Sequence, residues 1–179
     1  MFDLNEDKVL SKEEMYMLLA MSVASNSKDP STQVGACYVS CDGKVLSVGC
    51  NCIPDLWNKI DFPWESDKEL ELKNTKYPYI IHAEMSAMSN YKGQIKDFEN
   101  GTLYVNLFPC VNCAKLITSL KIKKVVYLNA RENCEDFECA NILFENSGIE
   151  CIKFESLVSN VTFDMNGDEK SFVKIKKYN

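Results

Sequence analysis

"TLYVNLFPCVNCAKLITSLKIKKVVYL", residues 102–128, holds a strand, a helix and a second strand in immediate succession. "TLYVNL" (102–107) and "KKVVYL" (123–128) are short runs rich in β-branched and aromatic residues, the composition of buried strands. Between them "PCVNCAKLITSL" (109–120) reads as a helix with Pro109 at its entrance, where a missing N–H costs nothing. If the two strands are parallel neighbours, the helix is their crossover, and a right-handed crossover fixes the face it covers. Cys110 and Cys113 stand at the mouth of that helix.

Outward from this unit the chain alternates in the same way. "PYIIHAEMSAM" (78–88) opens a helix whose face carries Glu84, Ala87, Met88 and Tyr91 at i, i+3, i+4 and i+7. Farther back, "QVGACYVSCDGKVLSVGC" (33–50) predicts two strands joined at Asp42-Gly43, a hairpin signal. Ser11-Lys12-Glu13-Glu14 fits a capping box, followed by Met15, Leu18, Leu19 and Val23 at helical spacing until Pro30 closes the segment. Residues 51–78 have no steady period and read as a long loop, a length usually tied to function. Downstream, 135–147 is a helix with acids at its start and Gly148 just past its end, and "IECIKF" is a strand. Residues 156–179 are mixed in character and predict at most an edge strand. The order predicts a three-layer α/β/α sandwich around a mixed five-stranded sheet. We expect one domain over 1–179, with a core over 12–154 and a C-terminal extension over 155–179.

A chain of 179 residues with 46% apolar and 26% charged content buries a core without staples. No apolar run reaches 18 residues, so no membrane span is expected. Nine cysteines, an odd number scattered along the chain, with no basic-then-apolar leader, predict reduced thiols and a cytoplasmic protein. A net charge of −6, a pI near 4.9 and a single arginine, Arg131, exclude a broad nucleic-acid surface.

His82 is the only histidine. Alone it reads first as core packing, and Glu84 beside it as a carboxylate exposed by fraying or pointing inward. The two are roughly 200° apart on an ideal helix, so they serve one site only if His82 sits at the helix mouth and Glu84 reaches from the first turn. Cys110 and Cys113, at i and i+3, lie roughly 5–6 Å apart on a helix and can grip one metal. By themselves they also fit a redox pair or two small core residues continuing toward Ala114 and Ile117. If the strands around 102 and 123 are parallel neighbours, right-handed crossovers put both helices on one face, and their N-termini then meet at one sheet edge. One imidazole and two thiolates leave a fourth tetrahedral position open, as in catalytic zinc sites. His82-Ala83-Glu84 with Pro109-Cys110-Val111-Asn112-Cys113 also forms the H-x-E…P-C-x-x-C pattern of zinc deaminases, in which the glutamate moves protons and binds no metal.

With those residues in place, "SKDPSTQVGA", "GCNCIP", "FPW", "TKYPYIIHAEM" and "LYVNLFPCVNCAKLI" resemble the deoxycytidylate (dCMP) deaminases of the cytidine deaminase superfamily, in order and at matching intervals over 12–154. The resemblance implies Zn²⁺ held by His82, Cys110 and Cys113, proton transfer by Glu84, hydrolysis of dCMP to dUMP and ammonia, and a homo-oligomer, often a hexamer. It places Asn51 on the sugar, and Ser27 and Lys28 where the family handles the nucleotide. Tyr127 and Arg131, after a strand directed to the same edge, are further phosphate candidates. Cys52 replaces a common glycine, Ser86 a common asparagine and Asn26 a common arginine. "DLWNKID" lacks the glycine- and acid-containing run that accompanies dCTP and dTTP effector binding, which points away from that regulation. Rival readings are a deaminase of the same fold acting on dCTP, a free cytidine nucleoside or a tRNA base, and a catalytically silent zinc- or nucleotide-binding module.

Overall fold

A computed structural model describes residues 9–57, 61–166 and 173–178. A five-stranded sheet, in the order β2-β1-β3-β4-β5, organises the chain. Its strands are β1 (Gly35–Val39), β2 (Val45–Cys50), β3 (Thr102–Leu107), β4 (Lys124–Asn129) and β5 (Glu150–Lys153). The β1–β2 and β1–β3 pairs are antiparallel, and β3, β4 and β5 run parallel. The strand–helix–strand unit at 102–128 is therefore a parallel neighbour pair with a helical crossover, as its sequence predicts.

Four helices cover the two faces: α1 (Lys12–Ala24), α2 (Ala83–Asn90), α3 (Val111–Ser119) and α4 (Glu135–Asn146). Alternation along the strands sorts the core into two layers. Tyr16, Met17 and Ala20 of α1 pack on Cys37, Val39, Tyr104 and Val126. Ala87 of α2, Ile117 of α3 and Phe144 of α4 pack on Ala36, Tyr38, Leu103, Val105 and Val125, on the opposite face. Fully burying a side chain such as Leu103 or Ile117 contributes about 1.5–3 kcal/mol.

Local signals hold where they are chemical. Ser11 Oγ accepts from the Glu14 N–H at 3.2 Å and the Glu14 carboxylate accepts from the Ser11 N–H at 2.7 Å, the reciprocal cap of α1. Gly43 takes φ +83° in the β1–β2 turn, a conformation that favours glycine. Gly148 does the same past α4, at φ +67°.

Two expectations are corrected. The sheet-facing stripe of α1 is Tyr16, Met17, Ala20 and Ala24, whereas Met15 and Leu19 stand exposed. The helix carries two apolar stripes, and the sheet takes the one with small alanines, which allow the closer approach. The described residues 158–166 and 173–177 do not edge the main sheet. β6 (Val158–Phe163) and β7 (Val173–Lys177) form a separate antiparallel ribbon, with 167–172 outside the described residues. The ribbon is tied to the body through Ser156, whose hydroxyl donates to the Glu14 carboxylate at 2.5 Å.

The long 51–78 loop is closed at its base by a backbone bridge. The Cys52 N–H donates to the Ile81 carbonyl at 3.0 Å, and the Ile81 N–H returns to Cys52 at 2.8 Å. That bridge sets the start of α2 beside the end of β2. Among the described residues, no helix is long and apolar enough to cross a membrane.

Candidate active site

Two helices start at the same edge of the sheet, each with a donor residue at its cap. His82 precedes α2 in extended conformation (φ −70°, ψ 155°), and Cys110 precedes α3 in the same way (φ −69°, ψ 165°). Cys113 lies in the first turn of α3, fully buried. His82 Nδ1 is 3.3 Å from Cys110 Sγ and 3.4 Å from Cys113 Sγ. All three donor atoms lie within 4.8 Å of one another, and among the described residues this is the one such cluster able to hold a metal ion.

The donor set fits zinc. Bonds of about 2.3 Å to sulfur and 2.0–2.1 Å to nitrogen at tetrahedral angles place nitrogen and sulfur about 3.6 Å apart, close to the separations found here. The hydrogen bond between the two thiols divides them: it pulls Cys110 down to about 4, with help from His82, while it and burial push Cys113 up. Helix N-termini favour the thiolate further.

Glu84 is 3% exposed, in the first turn of α2, and its carboxyl faces the Cys113 thiol. Burial holds its pKa above the usual carboxylate range. A carboxyl kept dry beside three metal donors is suited to take and return a proton.

In front of this group lies a cleft of about 810 Å³, lined by His82, Glu84, Cys110, Asn51, Phe108 and Arg131 among others. Asn51 is buried, its Oδ1 accepting from the Val34 N–H at 2.8 Å. Arg131 follows β4 and reaches the Thr32 hydroxyl at 3.3 Å, so it stands at the rim. Ser27, Lys28 and Tyr127 do not line the cleft. Ser27 is buried, its hydroxyl accepting from the Asp29 N–H at 3.3 Å, and Lys28 is exposed elsewhere. Tyr127 stacks edge-on against Phe108, with ring centroids 4.8 Å apart.

Sequence reasoning did not single out Asp29 and Lys76, which line the cleft as a buried ion pair. They stand 47 positions apart, so no local pattern links them. The signals available were that each lies in a stretch resembling the family, Asp29 in "SKDP" and Lys76 in "TKYPY", and that Asp29 ahead of Ser31 and Thr32 has the pattern of an aspartate that caps its own loop. Two departures from the family pattern prove to be neighbours, with Cys52 Sγ 3.9 Å from Ser86 Oγ.

What three metal donors, a dry carboxyl and an adjoining cleft define is a site for metal-assisted hydrolysis. The model of the family described as "Cytidine and deoxycytidylate deaminase zinc-binding region" matches residues 10–129, and the chain belongs to that family, with zinc as its cofactor. It is 37% identical over 159 residues to the deoxycytidylate deaminase of Mus musculus, covering 88% of each chain. Against the deoxycytidylate deaminase of Homo sapiens the identity is 36% with the same coverage. A crystal structure of dCMP deaminase from the cyanophage S-TIM5, in complex with dCMP and dUMP, superposes with a TM-score of 0.61 at 26% identity, covering 79% of this chain and 96% of that one.

Proposed function

We propose that this chain hydrolyses dCMP to dUMP and ammonia, with His82, Cys110 and Cys113 holding zinc and Glu84 carrying protons. The observation that carries this reading is His82 Nδ1 within 3.4 Å of two thiols beside a carboxyl that is 3% exposed. When bound, zinc supplies Lewis acidity that makes water nucleophilic near neutral pH. The Glu84 carboxylate takes a proton as water adds to C4 of the cytosine ring and passes it to the adjoining ring nitrogen. A second transfer through the same oxygen protonates the amino group, which leaves as ammonia while the C4 carbonyl forms. Burial of the Glu84 carboxyl preserves the high proton affinity that this shuttle needs.

Asn51 faces the sugar, and Arg131, with the Thr32 hydroxyl, supplies positive charge for the 5′-phosphate at the rim. Ser27, Lys28 and Tyr127 lie outside the cleft and make no direct contact with the nucleotide. The whole chain forms one cytoplasmic domain, none of its nine cysteines in a disulfide, and it assembles as a homo-oligomer. Effector control by dCTP and dTTP is absent; the segment behind this reading includes 58–60, which lie outside the described residues.

The test is a substrate panel. Zinc-loaded protein is given dCMP, CMP, deoxycytidine and dCTP, and ammonia release is followed. We expect dCMP to have the highest kcat/KM, with added dCTP leaving the dCMP rate unchanged. Preference for dCTP or deoxycytidine would reassign the substrate, and zinc without turnover would reduce the protein to a binding module.

A further inference from the structure

Two buried charges at the foot of the cleft have no part in the chemistry above. Lys76 and Asp29 are each 5% exposed, and Lys76 Nζ donates to both oxygens of Asp29 at 2.7 Å. Buried charges persist only where their remaining hydrogen-bond capacity is met. Asp29 meets it fully: Oδ1 also accepts from the N–H groups of Ser31 (2.8 Å) and Thr32 (3.1 Å), and Oδ2 accepts from Asn51 Nδ2 (3.2 Å).

The effect on Asn51 is specific. Its Nδ2 gives one hydrogen to Asp29 and the other to the Thr32 carbonyl at 3.0 Å, while Oδ1 accepts from the Val34 N–H at 2.8 Å. Both amide donors are consumed within the protein, which fixes the orientation of the carboxamide and leaves one lone pair of Oδ1. Toward a ligand, Asn51 can only accept.

The same pair joins two segments of chain that line the cleft: Asp29, Ser31, Thr32 and Val34 in one, and Lys76, Tyr77 and Ile80 in the other. The Lys76 backbone is itself anchored, its N–H donating to the Glu65 carbonyl at 3.0 Å and its carbonyl accepting from the Ile80 N–H at 2.9 Å.

We propose that Asp29 and Lys76 are positioning residues, a clasp that joins two cleft-lining segments and holds Asn51 as an acceptor for a sugar hydroxyl of the nucleotide. This rests on the reading of the cleft as a nucleotide site. A ligand hydroxyl must then donate to Asn51, and loss of the clasp weakens binding without touching the proton transfer at Glu84.

The test uses the zinc-loaded full chain as wild type, Lys76→Met, Asp29→Asn and the double variant. For each, kcat and KM for dCMP, the Kd of dUMP by calorimetry and the Tm are measured. Either single change leaves a buried polar group without its partner, so Tm falls. KM and the dUMP Kd rise about tenfold, as for one lost hydrogen bond, while kcat stays within about threefold. In the double variant no buried charge remains, so Tm recovers while KM and Kd stay raised. A merely structural pair would return affinity together with Tm, and that result overturns the clasp. So do single variants that bind dUMP as the wild type does. Should the single variants fail to fold, the double variant decides alone. Wild-type protein that binds dUMP without turning over dCMP would refute the proposed chemistry, with the clasp still read from Kd; protein binding neither nucleotide would refute both.

Discussion

Gly49 on β2 sets how closely α2 approaches the sheet, and replacing it with alanine is a direct probe of the site's architecture. A Cβ at this position would stand 2.3 Å from the Ala87 nitrogen, 2.7 Å from its Cα and 2.8 Å from the Ser86 carbonyl carbon. Ordinary contact begins at 3.4 Å, so helix and strand must separate by about 1 Å, since backbone cannot rotate away. Because α2 carries Glu84 in its first turn and His82 at its cap, a shift of the helix moves both against the thiols of α3. Misplacement on this scale costs about 10²-fold in rate, and the overpacking costs about 1–3 kcal/mol of stability. Steady-state dCMP turnover, zinc content and urea denaturation of Gly49→Ala measure all three consequences. The alternative is that β2, an edge strand, gives way instead. Stability lost with turnover within threefold of wild type would therefore refute the claim that Gly49 positions the catalytic helix.

Further predictions concern the ligand set and the α1 contact. Cys113→Ala removes one of three donors from a fully buried position; zinc measured by atomic absorption should fall well below one per chain, and retention of full zinc would show that the thiol is no ligand. Tyr16 donates its hydroxyl to the Gly43 carbonyl at 2.7 Å, linking α1 to the hairpin turn. Tyr16→Phe should cost about 1 kcal/mol in chemical denaturation with dCMP turnover unchanged, and a loss under 0.3 kcal/mol would remove that bond from the account.

Legibility in the sequence followed the range of the interaction. Helix caps, the Asp42-Gly43 turn and the donor residues at both helix mouths are encoded within a few residues, and each was readable. The meeting of His82 with Cys110 and Cys113 followed from one topological rule applied to the 102–128 unit. Choosing between two apolar stripes on α1 was beyond local pattern, because the decision depends on which stripe lets the backbone approach the sheet. Asp29–Lys76 and Arg131–Thr32 join residues 47 and 99 positions apart, and a lysine in a polar loop looks solvated until its partner is known. The β6–β7 ribbon was hidden for the opposite reason: few of its side chains are buried, so its alternation carries little hydrophobic contrast.

The central claim is that a buried glutamate beside the metal donors moves the protons of deamination, and Glu84→Gln tests it most directly. Glutamine keeps the size and packing of the side chain and removes only the proton carrier. The variant should hold one zinc per chain, with a Tm no lower than that of the wild type and dCMP turnover reduced by about 10²–10⁴-fold. Turnover at the wild-type rate, with zinc bound and the fold intact, would contradict it.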